Sequence, residues 1–442
     1  RVGGSVSAMR LPATYVASAT GGSLSGPDVT VDGAGIDTRL IRPGQLFVAL
    51  RGARDGHDFV DSALEAGAAA CLVEDRTGPG ICIVVTDTAV ALTRLATAAR
   101  GTLPATVIGV TGSVGKTSTK DLLAAALARR WRVSASSKSF NNELGVPLTI
   151  LATPDDAEAV VVEMGARGQG HVASLCAVAR PLVGVVTTVG VSHAEFFGTV
   201  EDIARAKGEL IESLPGEGTA VLNADVALVA AMAERAVARV LTFGLTAGDV
   251  RADEVTLDDD LRPRFRLRTP WGDAPVSLAV RGHHQVANAL AAAAAALACD
   301  TPIEDVAAGL GDAQLSPWRM QLERAPSGAL ILNDTYNANP PSTEAALRGL
   351  AALPAERRTA LLGIMAELGD VGPAEHARIG ALAVELGIRV IAVAAPDYGG
   401  EPAADADDAF ARLGPVGPGD AVLVKGSRAA GLESVAGTLA ST

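Results

Sequence analysis

TVIGVTGSVGKTSTK, residues Thr106–Lys120, is the stretch from which the rest of the chain can be read. A β-rich run (Thr106, Val107, Ile108, Val110) leads into a turn containing Gly112 and Gly115. Lys116, Thr117 and a helix-forming segment follow. This is the layout of a phosphate-binding loop. Glycines let backbone N–H groups turn toward an anion, the helix N-terminus adds partial positive charge, a lysine adds a full one, and a hydroxyl at the next position can ligate Mg²⁺. The spacing departs from the usual pattern at one place: Val110 stands five residues before Gly115, and Gly109 falls one residue too early. A plain glycine turn joining strand to helix is the alternative.

Composition sets limits on function. At 442 residues the chain is long enough for two to four domains, and 48% hydrophobic residues can fill a large core. A net charge of −13 with 3% aromatics leaves little with which to hold nucleic acid by phosphate contacts or base stacking. Any anionic ligand must be met by local Lys and Arg. The four cysteines (Cys71, Cys82, Cys176, Cys299) form no CxxC pair and lie in apolar runs, as buried thiols of a reducing compartment do. The apolar run 289–299 is too short to span a bilayer. No signal peptide is visible at the start. A cytoplasmic protein without membrane insertion is expected.

Strand and helix patterns alternate along the whole chain. Strands are predicted at 46–50, 70–74 and 81–85, with helices near 58–66 and 91–100. The sequence at 100–104 (RGTLP) then breaks the pattern. From 106, strands (106–110, 159–163, 182–187, 220–222) alternate with helices (116–129, 201–214), which predicts a parallel sheet covered on both faces. Residues 250–280 alternate charged and apolar side chains and suit a small antiparallel side sheet. An Ala-rich helix is predicted at 286–297. After the break at 315–318 (LSPW), strands at 329–332, 359–363, 390–393 and 421–425 alternate with helices at 343–350 and 375–386. The reading is three α/β domains in series: 1–103, 104–316 and 317–442.

Several residues stand out against this frame. Lys207 lies on a helical stripe with Ile203, Leu210 and Leu214. Such a lysine usually snorkels to solvent; a buried one has a shifted pKa or is modified. Glu163 ends a predicted parallel strand, where open α/β sheets bind ligands. With Thr117 it is a sufficient protein contribution to a Mg²⁺ site, although a strand-end Glu can simply face solvent. His193 follows the strand at 182–187; a lone loop histidine is more often structural. His284 and Asn288 form an i, i+4 pair opening the Ala-rich helix, suited to an adenine ring or to helix capping. NDTYNANP (Asn333–Pro340) is denser in directed polar groups than a turn requires. VKGSR (Val424–Arg428) places a cation and small residues after an apolar strand. Asp37, Thr38 and Arg39 precede a strand and by themselves read as a turn.

Taken in order, TGSVGKTSTK, SFNNELGVPLTIL, EMGARGQGHV, SHAEFFGTVEDIARAKGEL, GHHQVANALAAA, RMQLE, NDTYNANPPST, ELGD and VLVKGSR resemble the Mur ligases end to end. These are ATP-dependent amide-forming enzymes of peptidoglycan synthesis. The resemblance implies a UDP-substrate domain, a central P-loop ATPase and a C-terminal Rossmann-like, acceptor-binding domain, acting as a monomer. YNANP, NNELGVPLT and IDTR…GQLFVALRG…DGHDF imply a UDP-N-acetylmuramoyl-tripeptide as acyl substrate and D-alanyl-D-alanine as acceptor. Position by position, it implies ATP contacts at Thr111, Gly112, Ser113, Gly115, Lys116, Thr117, Ser118, His284, Asn288, Arg319 and Asp334. It implies Mg²⁺ ligation by Thr117, Glu163, His193 and a carbamate on Lys207, with Lys116, Lys207, His193 and Glu163 as the catalytic set. Substrate contacts fall on Asp37, Thr38, Arg39, Asn141, Asn142, Tyr336, Asn337, Asn339 and Lys425. Two positions depart from the family: Thr188 stands in place of Asn, and Pro341-Ser342-Thr343 in place of Ser-Met. Three rivals are weaker. Sister ligases adding diaminopimelate carry an Asp-Asn-Pro-Arg string, which is missing here. Folylpolyglutamate synthase would not have this first domain. A P-loop switch protein would not need the Lys207 stripe or the NDTYNANP cluster.

Overall fold

The computed structural model describes residues 8–75, 80–136, 140–190 and 198–441. Its centre is a nine-stranded sheet. The order across it is Gly272–Ser277, Pro263–Thr269, Val250–Leu257, Arg239–Gly244, Thr219–Asn223, Val183–Val186, Thr106–Thr111, Ala159–Glu163 and Val133–Ala135. Pairing is parallel from Val133–Ala135 through to Val250–Leu257. The strands read as continuous Val/Ile/Leu runs because both faces are covered. The antiparallel stretch expected at 250–280 is present, and it joins the parallel part edge to edge through Phe243–Val250 and Gly244–Arg251.

Thr106–Thr111 lies between Val183–Val186 and Ala159–Glu163. The chain moves outward on one side of it and then on the other, so its C-terminal end is a topological switch point, where open α/β sheets hold their ligands. Val110 in the phosphate-loop motif is explained here. The strand continues through Thr111, so the loop begins only at Gly112.

Helices Lys116–Leu127, Gln285–Ala298 and Ile303–Asp312 cover one face. Ala291 to Ala296 are all fully buried, and their small side chains let Gln285–Ala298 lie close to the sheet and to Lys116–Leu127. On the other face, Thr88–Thr102, Gly145–Leu151, His171–Ala179 and Val200–Glu212 form a second layer. One apolar cluster runs without a break from Met9, Val16 and Leu92 to Val160, Val172 and Leu210. The five-stranded sheet of the N-terminal part, ordered Ser23–Ser25, Cys82–Val84, Ala70–Val73, Leu46–Val48 and Ala34–Gly35, is thereby packed firmly onto the central one. The C-terminal part has its own six-stranded sheet, ordered Gln321–Arg324, Leu330–Asn333, Asp420–Lys425, Arg357–Gly363, Arg389–Val393 and Glu401–Ala403. It is parallel except at its first strand.

The helix expected at 201–214 spans Val200–Glu212, with Thr199 capping the N-terminus through its hydroxyl to the Asp202 N–H at 3.1 Å. Leu214 falls past its end and packs with Ile211, Leu222 and Met232, in a different cluster from Leu210. What seats this helix is a pair of glycines directly opposite each other on adjacent strands, Gly109 and Gly184. A Cβ on either would lie 3.0 Å from the Leu210 side chain. The missing side chains make a smooth floor that lets Leu210, and so the whole helix, press against the sheet.

Filling that floor should therefore lift the helix. Gly184→Val should lose about 1–3 kcal/mol of stability, the usual cost of overpacking, read as a lower denaturation midpoint. Adding Leu210→Ala in the same chain should return part of the loss, because the two changes compete for one volume. Strictly additive losses in a double-mutant cycle would show that the two positions are not coupled.

Candidate functional site

The loop after Thr111 is held open by its neighbours. Gly112 and Gly115 have φ of +148° and +88°, values a side chain would strain. A Cβ on Gly112 would collide with the Thr187 hydroxyl, and one on Gly115 with the Asn288 amide. Thr188 braces the loop twice. Its carbonyl accepts from the Ser113 N–H at 2.8 Å, and its hydroxyl from the Val114 N–H at 3.0 Å. The Asn-to-Thr departure noted in the sequence thus keeps a polar brace under the loop. The Ser113 hydroxyl adds bonds to the Gly190 backbone at 3.1 Å. Lys116, Thr117 and Ser118 open the helix Lys116–Leu127, whose first-turn N–H groups have no partner within the helix. The Lys116 ammonium lies on the Gly112 carbonyl at 2.7 Å.

One turn into the site, two oxygens meet. The Thr117 hydroxyl donates to Glu163 Oε2 at 2.8 Å, and the Asn141 amide donates to Glu163 Oε1 at 2.8 Å. Glu163 is 1% exposed, so it does not face solvent. Its backbone N–H donates to the Ser136 hydroxyl at 3.1 Å, and the Ser136 carbonyl accepts from Lys120 Nζ at 2.8 Å. Lys120 in turn pairs with Asp121 at 2.9 Å. Ser136 and Lys120 were not singled out in the sequence. Their roles are to position Glu163, and only pairing across distant segments reveals them. A hydroxyl beside a fixed carboxylate is the oxygen donor set that Mg²⁺ takes, completed by water and phosphate. Among the described residues there is no cluster of three or more His, Cys, Asp or Glu able to hold a metal. His193 lies in 191–197, outside the described residues.

Lys207 does not snorkel. It is 1% exposed. Burial pushes its pKa well below that of a free lysine, and the charge of Lys116 pushes it further down. Burial also lowers the pKa of Lys116; Glu163 and Glu367 oppose that shift, and Arg319 adds to it. Both lysines line a cavity of about 600 Å³ together with Ile36, Asn141, Arg167 and His171. Asn142 lines it too, and its side chain caps the next helical turn at the Gly145 N–H. Asp37 and Arg39 form an ion pair with each other at 2.7 Å, and Arg39 is largely exposed. They sit next in sequence to Ile36 on the first part's side of the cavity.

The C-terminal part meets the loop through its own strand ends. The Arg319 guanidinium stacks 4.0 Å over the Tyr336 ring. Its Nε is buried without a partner, an orphan donor of the kind a polar ligand satisfies. Asp334 accepts from Lys425 Nζ at 2.5 Å and from the Met320 N–H at 3.0 Å. Lys425 also reaches the Asn337 carbonyl at 2.9 Å. Lys425 is 1% exposed and holds two strand-end loops together. Asn339 caps the helix Pro340–Ala352 in a reciprocal capping box with Ser342, so its side chain is occupied within the chain. The Pro341-Ser342 departure supplies that box. His284 is the residue before Gln285–Ala298. Desolvation pulls its pKa down to about 4, opposed by Asp334 and assisted by Lys425. It is therefore neutral at physiological pH and fit to pack on an uncharged ring. Asn288 donates to Gln285 at 2.8 Å while its oxygen lies against Gly115.

Comparison with known proteins agrees with this geometry. Residues 110–296 match the Mur ligase middle domain, 318–428 the Mur ligase glutamate ligase domain, and 30–99 the Mur ligase family catalytic domain. The UDP-N-acetylmuramoyl-tripeptide–D-alanyl-D-alanine ligase of Mycobacterium tuberculosis is 43% identical, over 91% of both chains. A crystal structure of MurF from Acinetobacter baumannii superposes with a TM-score of 0.89 at 30% identity, covering 98% of this chain and 100% of that one. MurF from Thermotoga maritima in complex with ADP does so at 0.81 and 30%, covering 92% and 97%. With both partners matched over nearly their full length, the chain belongs to the Mur ligase family.

Proposed function

We propose that this chain joins D-alanyl-D-alanine to UDP-N-acetylmuramoyl-tripeptide with cleavage of ATP to ADP and phosphate, as a step in making the peptidoglycan precursor. The observation that carries this reading is that Lys116, at the head of the nucleotide loop, Lys207 and Asn141, which holds Glu163 beside Thr117, line one cavity that Ile36 lines from the N-terminal part. It is joined to an end-to-end likeness to ligases of that name. ATP phosphorylates the terminal carboxylate of the peptide, and the amine displaces phosphate from the mixed anhydride. We place the ATP phosphates on Gly112–Ser118 and Lys116, and the base against His284 and Asn288. Arg319 and Asp334 lie on the ribose and phosphate side. The peptide lies in the cavity along Asn141 and Asn142, and the uridine end lies toward Asp37, Thr38 and Arg39. The acceptor falls to Tyr336, Asn337 and the Lys425 loop. Thr117 and Glu163, with His193 and a modified Lys207, would hold Mg²⁺, which when bound offsets charge on the transferring phosphoryl group. Preorganised charge of this kind is the main catalytic contribution expected of such a site. Closure of the parts around bound substrates would keep water from the mixed anhydride. Dependence on ATP agrees with a cytoplasmic location, and among the described residues no helix is long and apolar enough to cross a membrane. We take the working unit to be one chain.

Phosphate release measured with the UDP-tripeptide, ATP and a panel of amines should respond to D-alanyl-D-alanine and not to a free diamino acid. The reverse result would assign the chain to the preceding ligation step.

Lys207 is proposed to carry a carbamate. Its neutral amine attacks CO₂, the N–C bond forms, and one proton is released. The product is an anion in a place where an ammonium is costly to bury. Lys207→Ala should lose most activity and keep its fold, and a short carboxylic acid in the buffer should restore part of the rate. The wild-type chain in ¹³C-bicarbonate should show a carbamate carbon resonance that the variant lacks. Stability gives a separate check. The folded pKa lies below the unfolded one, so the unfolded chain binds more protons between the two, and the unmodified protein gains stability as pH rises through that window. In CO₂-free buffer, Lys207→Met should be more stable than wild type near neutral pH, with the gap closing as pH approaches the free-lysine value. A gap independent of pH would mean Lys207 is not buried as a titrating amine.

A further inference from the structure

The hairpin that joins Val250–Leu257 to Pro263–Thr269 in the central sheet ends in a tip, 258–262, that closes on itself. The Asp258 N–H donates to the Arg262 carbonyl at 3.1 Å, and the Leu261 N–H to the Asp258 carbonyl at 2.9 Å. Asp258 Oδ1 accepts from the Asp260 N–H at 3.0 Å and the Arg262 N–H at 2.8 Å. Leu261 has φ of +64°, a left-handed backbone that strains a bulky side chain. Such a conformation persists where its surroundings hold it. The surroundings here belong to another part of the chain. Leu261 is buried in one apolar cluster with Met320, Leu347 and Leu350, and the other described members of that cluster all lie in the C-terminal part.

Met320 shares this seat. A Cβ on Gly349, within the helix Pro340–Ala352, would lie 2.7 Å from Met320 Cε and 3.6 Å from Leu261 Cδ1, so the bare glycine makes room for both. The Leu261 carbonyl accepts from the Gly282 N–H at 2.9 Å. Gly282 has φ of +101°, and a Cβ there would lie 2.6 Å from His284 Cε1 and 3.4 Å from Met320 Cε. The His284 ring and the Met320 methyl thus both lie against Gly282. Arg319 precedes Met320 in the chain, and the Met320 N–H donates to Asp334 at 3.0 Å. A short series of contacts therefore runs from the helix Pro340–Ala352, through Met320 and Gly282, to His284. Close-packed contacts of this kind pass on a displacement, because the interior yields little.

We propose that Leu261 and Met320 are positioning residues for the nucleotide base: they seat the C-terminal part on the central part and, through Gly282, hold the His284 ring where the base of ATP packs. The proposal rests on the placement of the base against His284 given above. It makes seating of the C-terminal part and binding of the base one coupled equilibrium, in which each strengthens the other by the same factor.

Two ligands with the same ribose and diphosphate isolate the base: ADP, and ribose 5-diphosphate, which lacks adenine. Contacts from Arg319 to ribose or phosphate cancel between them. Calorimetric titration of wild type should show ADP bound more tightly. Leu261→Ala should weaken ADP about tenfold, an ordinary size for coupling between sites, and ribose 5-diphosphate by less than about twofold. Gly349→Ala acts from the opposite side. Its methyl displaces Met320 while alanine favours the helix, so ADP affinity should fall in the same way with the melting temperature kept. This variant keeps the test decisive if Leu261→Ala does not fold. Leu261→Met, close in volume, should bind ADP nearly as wild type does. In a His284→Ala background, Leu261→Ala or Gly349→Ala should cost less than about a further twofold, because the residue each acts through is gone. Equal weakening of the two ligands, unchanged ADP affinity in either variant, full additivity with His284→Ala, or Leu261→Met behaving like Leu261→Ala would overturn the proposal. A wild type that binds the two ligands equally well would instead overturn the placement of the base against His284, and the proposal with it.

Discussion

The site is organised around one electrostatic problem: a buried lysine, Lys207, lies within reach of the charge of a half-buried one, Lys116. Lys207 is 1% exposed on the Val200–Glu212 helix, and Lys116 bears on it from the phosphate loop. At low dielectric two like charges repel strongly and each loses hydration. The stable solutions are a neutral amine, a modified lysine, or an anion between the two. The last two put negative charge at the site. An overall net charge of −13 makes that local reversal more telling, because the cations are concentrated where phosphate and carboxylate must meet.

That problem exists only because the sheet lets the helix come close. Gly109 and Gly184 stand side by side on neighbouring strands and take Leu210 against their bare backbone. A larger residue at either would raise the helix and let water reach Lys207. The opposing carboxylate is positioned with equal care. Glu163 is held through its backbone by Ser136 and through its side chain by Asn141 and Thr117. Lys120 fixes Ser136 from the helix that follows the phosphate loop. The loop and the carboxylate are therefore tied together by hydrogen bonds.

The C-terminal part contributes by a different arrangement. Its polar groups lie at the C-terminal ends of Leu330–Asn333, Asp420–Lys425 and Arg357–Gly363, tied to one another by Lys425 and by the Ser427 hydroxyl. Much of the NDTYNANP cluster holds these loops in place. Asn333 bonds Thr335, Asn339 caps a helix, and Asp334 pairs with Lys425. The density of polar residues in that string thus reports a braced junction, beside which Arg319 stacks on Tyr336.

The sequence by itself determined a good deal, because the signals were local. Alternating strand and helix patterns, the glycines and the Gly-Lys-Thr after a β-run, the Ala-rich helix and the lysine on an apolar stripe all follow from backbone periodicity and side-chain type. The long matching strings pointed to the family. What the sequence left open at Lys207, snorkelling against burial, was decided by tertiary structure, since it depends on two glycines 75 positions apart meeting one leucine. The same holds for Ser136 and Lys120 behind Glu163. Each is an ordinary residue in its own segment. Each gains its role only when strands and loops distant in sequence are brought within hydrogen-bond distance, and pairing of that kind leaves no trace in local periodicity.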